Sequence, residues 1–338
     1  MKKKTSLILD WYHDNQRILP WRENTEPYFV WLSEIILQQT RVEQGKPYYI
    51  KFLQSFPTVH DLANAPEKDI MKLWQGLGYY SRAKNLHKTA KIISQKFKGV
   101  FPNQLKQLKS LPGIGDYTAA AIASIAFNQP TPVLDGNVYR VISRIFNIDL
   151  EIGSTVTRNL FLKHAQDLMG EYNPGDFNQA MMEFGALQCI PRNPDCENCP
   201  IIHDCMGLQE KNIQNLPNIR KKKPLKNRYM NYFLIHDTHQ TIIQKRTEKD
   251  IWNSLYELPL IDSFQPIVSK EMIYSDAAVA LEMTHLLTHQ RIHLKFYNIC
   301  VKKLPAEVNN QIYISLKDLH TVPVPKPIEK FFQEFKLL

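Results

Sequence analysis

Residues 111–145 read LPGIGDYTAAAIASIAFNQPTPVLDGNVYRVISRI, and this stretch decides the fold of the chain around it. Its Leu-Pro-Gly-Ile-Gly segment is too rich in glycine for a helix or a strand and predicts a tight turn with uncovered amides. Asp116 is predicted to cap a helix of small residues over Thr118–Phe127. Such amides bind phosphate without reading base sequence, which makes Gly113 and Gly115 candidate DNA contacts. An ordinary corner between helices is the alternative.

A block of one charge precedes this turn. Between Ile70 and Gly115 there are nine basic residues and no acidic one, which suits a polyanionic partner. The nine are Lys72, Arg82, Lys84, Lys88, Lys91, Lys96, Lys98, Lys106 and Lys109.

The segment Val133–Asn137 follows a proline-rich turn and places the carboxylate of Asp135 at the start of another helix. A plain helix cap is one interpretation of that carboxylate. Together with the turn, however, the segment resembles the helix-hairpin-helix motif of the DNA glycosylase superfamily. The catalytic aspartate of that superfamily occupies the position of Asp135.

Length and composition leave room for two domains. The chain has 338 residues, 43% of them hydrophobic, and no apolar run of membrane length. The start, MKKKTSLILDWYHD, lacks a cleavage pattern, so no secretory signal is expected. The net charge of +9 is uneven: residues 211–228 carry seven basic and no acidic residues, whereas residues 229–338 carry twelve of each. The local blocks therefore argue for nucleic acid more strongly than the overall charge does.

A mostly apolar helix is predicted over residues 28–45, with Glu34 inside it and Arg41 on roughly the same face. A carboxyl group in such a helix is costly when ionised, so its pKa should rise and it could hold a proton near neutral pH. An ion pair between Glu34 and Arg41, or a solvated polar stripe, is the alternative.

The turn Leu73–Arg82 contains two adjacent tyrosines followed by basic residues. An exposed aromatic ring beside phosphate contacts can enter the base stack and help to extrude a nucleotide. The alternative places both tyrosines in the core, and we expect one of the two to be buried.

Four of the five cysteines lie within 17 residues, in the loop 189–205, with the spacing C-x6-C-x2-C-x5-C. Thiolates gathered this closely are usually metal ligands, and they indicate a reducing compartment, here the cytoplasm. Zinc is an alternative, although zinc sites usually pair two short knuckles and this loop has one. The spacing resembles that of the endonuclease III branch of the superfamily. This resemblance implies a 4Fe–4S cluster held by Cys189, Cys196, Cys199 and Cys205. Cys300 lies outside the pattern and is expected to be a buried thiol.

The sequence predicts three parts: a mainly α, two-lobed catalytic domain (1–210), a basic linker (211–228) and a smaller α+β domain (229–338). In the last part, alternating segments predict strands, with helices near Asp276–Met283 and Ile328–Phe335. This part resembles the Nudix-like C-terminal domain of adenine DNA glycosylases. It lacks the glutamate-rich REx2EE metal helix of Nudix hydrolases, so a recognition module is expected. The three histidines at positions 285, 289 and 293 are not expected to bind a metal.

Two segments narrow the resemblance to the adenine DNA glycosylases. Trp31–Thr40 matches their W-x-S-E-[IV]-[ILM]-L-Q-Q-T segment, and Gly76–Arg82 matches their G-L-G-Y-Y-[SA]-R turn. Bifunctional relatives such as endonuclease III carry a lysine after the hairpin for attack on the sugar, where this chain has Tyr117. The resemblance therefore implies a monofunctional glycosylase.

The implied reaction needs a protonated leaving base and a stabilised oxocarbenium-like sugar. Glu34 would protonate the extruded adenine. Asp135 would stay ionised at its helix start, where the helix dipole lowers its pKa, and would face the sugar. Tyr117 and Asn137 would position the sugar, Asp135 and the water, with Glu183 as a further carboxylate beside Glu34.

The family removes adenine opposite 8-oxoguanine. The loop Leu287–His289 corresponds to a Phe-Ser-His loop of the family, keeping a hydroxyl and an imidazole but not the aromatic ring. The residues implied in contact with the lesion are Arg22, Gln39, Thr40, Leu77, Tyr79, Thr288 and His289. The implied partner is double-stranded DNA with an A:8-oxoguanine or A:G mispair, bound by a monomer in the nucleoid. A sliding clamp and downstream abasic-site repair enzymes are further expected partners.

Three other functions compete with this hypothesis. A bifunctional oxidised-pyrimidine glycosylase-lyase would need an amine near Tyr117. A non-catalytic lesion-binding or iron–sulfur protein would not need both Glu34 and Asp135. A nucleotide pyrophosphatase would need the missing metal helix.

Overall fold

The computed structural model describes residues 2–220, 224–266, 277–305 and 311–337. The chain forms two compact units. The first is Met1–Asn64 with Asn85–Lys221, and the second is Ala65–Lys84 with Lys222–Leu338. The domain limits expected from the sequence did not anticipate that residues 65–84 pack with the C-terminal part.

The helices of the described residues are α1 (Lys2–Asn15), α2 (Pro27–Leu37), α3 (Val42–Ser55), α4 (Val59–Asn64), α5 (Glu67–Leu73), α6 (Ser81–Lys96), α7 (Leu105–Lys109), α8 (Asp116–Ile125), α9 (Gly136–Ile145), α10 (Thr155–Met169), α11 (Pro174–Leu187), α12 (Met206–Gln209) and α13 (Lys326–Glu334). The strands are β1 (Lys226–His236), β2 (Gln240–Lys245), β3 (Tyr256–Glu257), β4 (Leu260–Ser263), β5 (Val279–Leu286), β6 (Gln290–Cys300) and β7 (Gln311–Ser315). Within these described residues, no helix is both long and apolar enough to cross a membrane.

The helix predicted over residues 28–45 is two helices, α2 and α3. α2 begins with Pro27, whose missing amide hydrogen costs nothing in a first turn, and its side chains are buried on nearly every side. The chain then leaves helical geometry, and Gln39 takes a φ of +55°. Because Arg41 precedes a new helix, the expected alignment of Arg41 with Glu34 was wrong.

The glycine-rich turn lies between α7 and α8, as predicted. Gly113 has a φ of +78°, and a β-carbon there would lie 2.7 Å from a side-chain carbon of α6, so the position requires glycine. The predicted cap was wrong, because Gly115 is the N-cap and Asp116 is the first helical residue. The carboxylate of Asp116 pairs instead with Lys109 and, at 3.0 Å, with Arg158.

Small side chains let α8, α9 and α11 approach closely. Residues 119–123 of α8 are fully buried, four of them alanines. At Gly185 of α11, an added β-carbon would lie 2.7 Å from the β-carbon of Asn137 on α9. This close packing fixes the start of α9, where Asp135 lies.

The predicted linker is packed over its first residues. Ile213 and Leu216 are buried, and their carbonyls accept hydrogen bonds from the buried guanidinium of Arg144 at 3.2 and 3.1 Å. The expectation of an unpacked segment was therefore wrong for these residues. The segment packs on the protein because these two side chains are apolar, in spite of the neighbouring prolines.

The second unit contains a mixed sheet of strand order β3-β2-β1-β6-β5, with β4 also paired to β1 and β7 to β2. β1 and β2 pair antiparallel, and β1 runs parallel to β6. The apolar face is covered by α13, whose Phe331 stacks on Phe296 at 4.5 Å between ring centroids. The Nudix-like architecture predicted for this part is thus present.

Two local predictions in this unit were wrong. Residues 279–286 form the strand β5 rather than part of a helix near Asp276–Met283. All of them except Ala280 pair antiparallel with β6, and half-buried and exposed positions alternate from Leu281 onward. Asp276 itself lies outside the described residues. Cys300, expected to be buried, is exposed at the end of β6.

Residues 65–84 join the second unit through polar contacts. The side chain of Gln75 donates to Glu329 at 2.7 Å and accepts from the amide of Val324 at 3.3 Å. The ammonium group of Lys72 donates to the carbonyl of Val322 at 3.3 Å. These contacts attach the Gly76–Arg82 turn to the C-terminal part.

Candidate active site

One cavity in the first unit collects the four residues expected to carry out the chemistry: Glu34, Tyr117, Asp135 and Asn137. It contains about 850 Å³ of empty space, including its open mouth. Its lining residues are Arg17, Leu19, Trp21, Arg22, Val30, Ser33, Glu34, Leu37, Thr40, Val42, Tyr117, Ile125, Asp135, Asn137, Gln179, Met182, Glu183 and Ala186.

Glu34 lies on the buried helix α2 with only 9% of its surface exposed. Its pKa is raised to about 7, chiefly by burial; a hydrogen bond from Tyr117 lowers the pKa and the nearby Asp135 raises it. The predicted elevation of this pKa follows from the apolar helix. Glu34 can therefore hold a proton near neutral pH and release it to a bound group.

Tyr117 lies at the start of α8 and contacts two groups in the cavity. Its hydroxyl is hydrogen-bonded to Glu34, and it donates to the sulfur of Met182 at 3.3 Å. Burial raises the pKa of Tyr117 well above its ordinary value, and the neighbouring carboxyls Glu34 and Asp135 add to this effect. The hydroxyl therefore stays protonated and serves as a hydrogen-bond donor.

Asp135 caps α9 by accepting a hydrogen bond from the amide of Val138 at 2.7 Å. Asn137 donates to its second oxygen at 2.9 Å. Burial raises the pKa of Asp135 above its ordinary value, while these bonds and the charge of Arg140 act in the lowering direction. The expectation of a lowered pKa was wrong, since loss of hydration outweighs the helix start.

A chain of contacts supports Asn137 from behind. Arg140 donates to the side-chain oxygen of Asn137 at 2.8 Å and to the carbonyl of Gly185 at 2.6 Å. Its Nε donates to the carbonyl of Cys189 at 2.8 Å. Asn137 is thus held in the orientation that directs its amide to Asp135.

Glu183 of α11 lies in the same cavity but forms ion pairs with two arginines. Arg17 and Arg22 bond to its carboxylate at 2.7 and 2.9 Å. Burial would raise the pKa of Glu183, but the bonds from both arginines bring it to about 2. Glu183 therefore stays ionised and anchors residues 17–22, while the guanidinium of Arg22 is already occupied.

The other predicted contacts of the first unit lie at or beyond the cavity rim. Thr40 lines the cavity, whereas Gln39 is exposed beside it. Gly113 and Gly115 form the turn before α8 and do not line the cavity. The structure therefore brings together the chemical residues, with Thr40 among the residues around them, but leaves Gly113 and Gly115 outside the cavity.

The second unit holds the remaining predicted lesion contacts. Tyr79 is 46% exposed and Tyr80 is buried, which confirms that one of the two tyrosines belongs to the core. Thr288 and His289 form the tip of the β5–β6 hairpin, and the hydroxyl of Thr288 is hydrogen-bonded to that of Tyr79. Leu77, also implied in contact with the lesion, is only 6% exposed. The buried and the exposed members of this set line one pocket together with Trp252 and His285.

The basic block before the hairpin is not a uniform binding surface. Arg82 is buried, with its guanidinium 5.0 Å from the ring centroid of Trp74. Lys109 pairs with Asp116, and Lys84 is hydrogen-bonded to Asn253. The number of basic residues in the sequence does not show which of them are paired inside the protein and which face solvent.

The four clustered cysteines face a common cavity. Cys189, Cys196, Cys199 and Cys205 line it, and none of them is in a disulfide. Arg144 extends into the same place and donates to the sulfur of Cys189 at 3.3 Å. Among the described residues, no three or more His, Cys, Asp or Glu side chains lie close enough together to hold a single metal ion. Four soft donors around one space fit a larger iron–sulfur group.

Comparisons with known proteins extend these observations. Residues 32–166 match the HhH-GPD superfamily of base excision DNA repair proteins, and residues 231–334 match a NUDIX domain. An adenine DNA glycosylase of Buchnera aphidicola subsp. Acyrthosiphon pisum is 34% identical, over 98% of this chain and 97% of that protein. The chain belongs to the adenine DNA glycosylase family. The Homo sapiens adenine DNA glycosylase is 43% identical, over 60% of this chain and 39% of that protein.

The fold of this family member agrees with a solved glycosylase. A thermostable thymine-DNA glycosylase has a TM-score of 0.57 and 30% identity, over 62% of this chain and 97% of that one. Family membership confirms a helix-hairpin-helix glycosylase fold followed by a Nudix-like domain. It also makes this protein an enzyme, a DNA N-glycosylase of base excision repair.

Several contributors to the glycosylase cavity were not found from sequence. Arg17 and Met182 line it, and Arg140 supports Asn137 from behind. The spacing of Arg140, three residues after Asn137 on one helix, was an available signal. Nothing in the local sequence around Arg17 or Met182 indicates that they meet Glu183 and Tyr117.

Proposed function

We propose that this glycosylase removes adenine, and that it is monofunctional. The observation that carries the proposal is the meeting of Glu34, with a pKa of about 7, and Asp135 in one cavity. Two carboxyls in different environments are the pair that glycosidic bond cleavage uses, one as acid and one as a stabilising anion. The high identity to adenine DNA glycosylases supports adenine as the base.

In the proposed reaction, Glu34 gives its proton to a ring nitrogen of the extruded adenine. The bond between sugar C1′ and the base then breaks, and its electron pair leaves with adenine. The cationic sugar faces the carboxylate of Asp135, which Asn137 holds in place. Water adds to C1′ and its proton returns to Glu34, leaving free adenine and an abasic site.

The side chain of Tyr117 supports the monofunctional assignment. A lyase needs an amine that forms a Schiff base with the sugar, and Tyr117 offers a hydroxyl whose pKa is raised well above its ordinary value. Such a hydroxyl donates a hydrogen bond and is a poor nucleophile. Tyr117 is therefore assigned to holding Glu34 and the sugar.

The cysteine loop is proposed to hold a 4Fe–4S cluster through Cys189, Cys196, Cys199 and Cys205. The cluster, when bound, supplies cross-links within the loop and local charge rather than an open site for substrate. Arg144 supports the same loop by donating to the carbonyls of Ile190 and Pro191 at 2.8 and 3.0 Å.

Adenine opposite 8-oxoguanine, or opposite guanine, is the proposed substrate context. In the second unit, exposed Tyr79 next to the Thr288 hydroxyl suits entry into a base stack, and His289 offers a further polar contact. Gln39 and Thr40 are proposed contacts in the first unit, and the amides around Gly113 and Gly115 are proposed to seat a phosphate. A sliding clamp and abasic-site enzymes stay proposed partners.

A single-turnover assay tests this function. Duplexes pairing A with 8-oxoguanine, G or T, and T with G, are incubated with the parent enzyme and with Glu34→Gln. We expect release of adenine from the 8-oxoguanine and G mispairs, and a loss of about 10²- to 10⁴-fold on removing the acid. Equal rates for Glu34→Gln and the parent would refute the assignment of the acid.

Borohydride treatment of the same reactions tests the rival lyase. A covalent protein–DNA adduct would identify a Schiff base and reject the monofunctional assignment. Release of thymine from the T:G duplex, without release of adenine, would instead indicate the specificity of the solved thymine-DNA glycosylase.

A further inference from the structure

Met182 places a thioether in the lining of the catalytic cavity. It lies on α11, is half-buried, and lines the same cavity as Glu34. Its sulfur is 3.3 Å from the hydroxyl oxygen of Tyr117, within hydrogen-bond distance for sulfur. The same hydroxyl is bonded to Glu34. Tyr117 therefore stands between a carboxyl group and a sulfur atom.

A tyrosine hydroxyl has one proton to donate and a lone pair to accept with. When Glu34 is ionised, its carboxylate is the stronger acceptor and takes the Tyr117 proton. When Glu34 is protonated, it can donate to the Tyr117 oxygen, and the Tyr117 proton is then free to point to Met182. The sulfur thus has a partner only while Glu34 carries its proton.

We infer that Met182 is a positioning residue that favours the protonated form of Glu34, and that its thioether is an oxidative modification site of this enzyme. The inference rests on the proposed role of Glu34 as the acid. It extends the hydrogen-bonded pair of Glu34 and Tyr117 by a third residue, Met182, whose sulfur can be oxidised.

The modification is a two-electron oxidation by a peroxide. Hydrogen peroxide transfers one oxygen atom to the sulfur, so the thioether becomes a sulfoxide and the peroxide becomes water. The cavity is open at its mouth, so a molecule of this size can enter. The sulfoxide oxygen is a stronger acceptor than a thioether and would hold the Tyr117 proton more firmly. Its polar volume would also occupy space in which the base has to bind.

Other charged groups face the Glu34–Tyr117 pair and are common to every protein compared below. Asp135 at the start of α9 faces both of them. Glu183, neutralised by Arg17 and Arg22, lines the same cavity from α11. Because these groups do not change between Met182 variants, a difference in pH dependence reports the Tyr117 proton.

The test compares pH–rate profiles of the single-turnover reaction for the holoenzyme, for Met182→Leu, and for holoenzyme oxidised by hydrogen peroxide. Leucine has no acceptor, so the alkaline limb should move to lower pH by about half a unit, as expected for one weak hydrogen bond. The sulfoxide should move the limb to higher pH and lower the plateau rate several-fold. Opposite directions of shift are the signature, since a purely structural disturbance would lower the rate without reversing the shift.

Matched controls separate this effect from general oxidation. Met206→Leu replaces a methionine that is 45% exposed and lies outside the cavity. Peroxide should lower the rate of this variant as it does that of the parent, and should leave Met182→Leu much less affected. Mass spectrometry locates the added oxygen, absorbance of the iron–sulfur group monitors its loss, and methionine sulfoxide reductase should restore the rate. Met182→Gln supplies a permanent oxygen acceptor if Met182→Leu is unstable, and should shift the limb to higher pH.

The outcomes separate this inference from the proposed function. If Glu34→Gln is inactive but the profiles of Met182→Leu, Met182→Gln and the parent coincide, the role of Met182 is refuted and the acid assignment stands. If Glu34→Gln keeps parental activity, both fail. Equal loss of activity in the parent and Met182→Leu on oxidation would refute the modification site.

Discussion

Glu34 and Asp135 are both buried carboxyls with raised pKa values, yet their hydrogen bonds differ. Asp135 accepts from a backbone amide at 2.7 Å and from an amide side chain at 2.9 Å, and both bonds favour its anionic form. Glu34 has a tyrosine hydroxyl and the repulsion of Asp135, and its pKa reaches about 7. When one proton is available to the pair, it therefore resides on Glu34.

This arrangement predicts how stability depends on pH. The pKa of Glu34 is about 7 in the folded enzyme against an ordinary value of 4.5, so the folded state binds more protons between these pH values. The free energy of unfolding should fall as pH rises through that window. Glu34→Gln cannot ionise, and should be more stable than the parent by ~3 kcal/mol at pH 8 and nearly equal to it at pH 4. Urea unfolding at both pH values measures the difference, and a constant difference would contradict the cause.

Asp135→Asn separates the charge of this residue from its structural role. Asparagine also caps helices, so the bond from Val138 should persist and the melting temperature should change little. Without the anion, the single-turnover rate should fall by about 10²- to 10³-fold. Asp135→Ala, measured by calorimetry, serves as the comparison, since it also loses the cap, at a cost of about 1 kcal/mol. An Asp135→Asn enzyme with the parental rate would exclude the anion from the reaction.

At the start of α8, a side chain of the helix itself changes how well the helix N-terminus can bind an anion. Its amides suit a phosphate, but Asp116 brings a negative charge to the first turn and engages Lys109 and Arg158. At the proposed phosphate seat, this carboxylate would oppose DNA binding in two ways, by repelling phosphate and by occupying two cations. Its pKa is lowered, chiefly by the bond from Lys109, so the charge persists at neutral pH.

We expect Asp116→Asn to raise the affinity for duplex DNA several-fold, irrespective of base sequence. The released cations should also make affinity depend more steeply on salt. Fluorescence anisotropy over a range of salt concentrations measures both effects. Glu171→Gln, at an exposed residue paired with Lys2 at 3.6 Å, is the matched control for a change of one charge. Equal affinities for Asp116→Asn and Glu171→Gln would show that the start of α8 does not meet DNA.

At the scale of the whole molecule, the chain order and the compact units do not coincide. Residues 65–84 are flanked on both sides by segments of the first unit but pack with the C-terminal part. The Gly76–Arg82 turn and the Thr288–His289 hairpin tip therefore belong to one unit, joined by the Tyr79–Thr288 bond. Tyr79, proposed to enter the base stack, and Thr288, proposed to contact the lesion, therefore lie side by side in the same unit.

Gln75→Leu tests this attachment. It removes the bonds to Glu329 and Val324 and leaves a backbone amide without its partner, which costs about 1–3 kcal/mol. Hydrogen exchange should become faster in residues 65–84 and 316–334, and stay unchanged in residues 111–125. Gln107→Leu, at an exposed position of α7, is the matched control. Unchanged exchange in residues 65–84 would indicate that other contacts hold them.

Most elements of this enzyme could be predicted because their signals are local. The glycine-rich turn, the helix carrying Glu34 and the alternating strands follow from residue type and period. The failures have a common cause. The end of α2, the strand β5 and the burial of Ile213 and Leu216 depend on partners distant in the chain. Local propensity carries no information about those partners.

The amino-acid sequence by itself determined the two-part architecture, the family and the residue types available for catalysis, since motif spacing and hydrophobic period express them directly. Only the tertiary structure decided the protonation and the neighbours of those residues. The burial of each residue, and its distance from its neighbours, depend on residues far apart in the chain, such as Glu34 and Asp135, or Tyr117 and Met182. Electrostatic energies depend on these distances and on the exclusion of water, which no local pattern encodes.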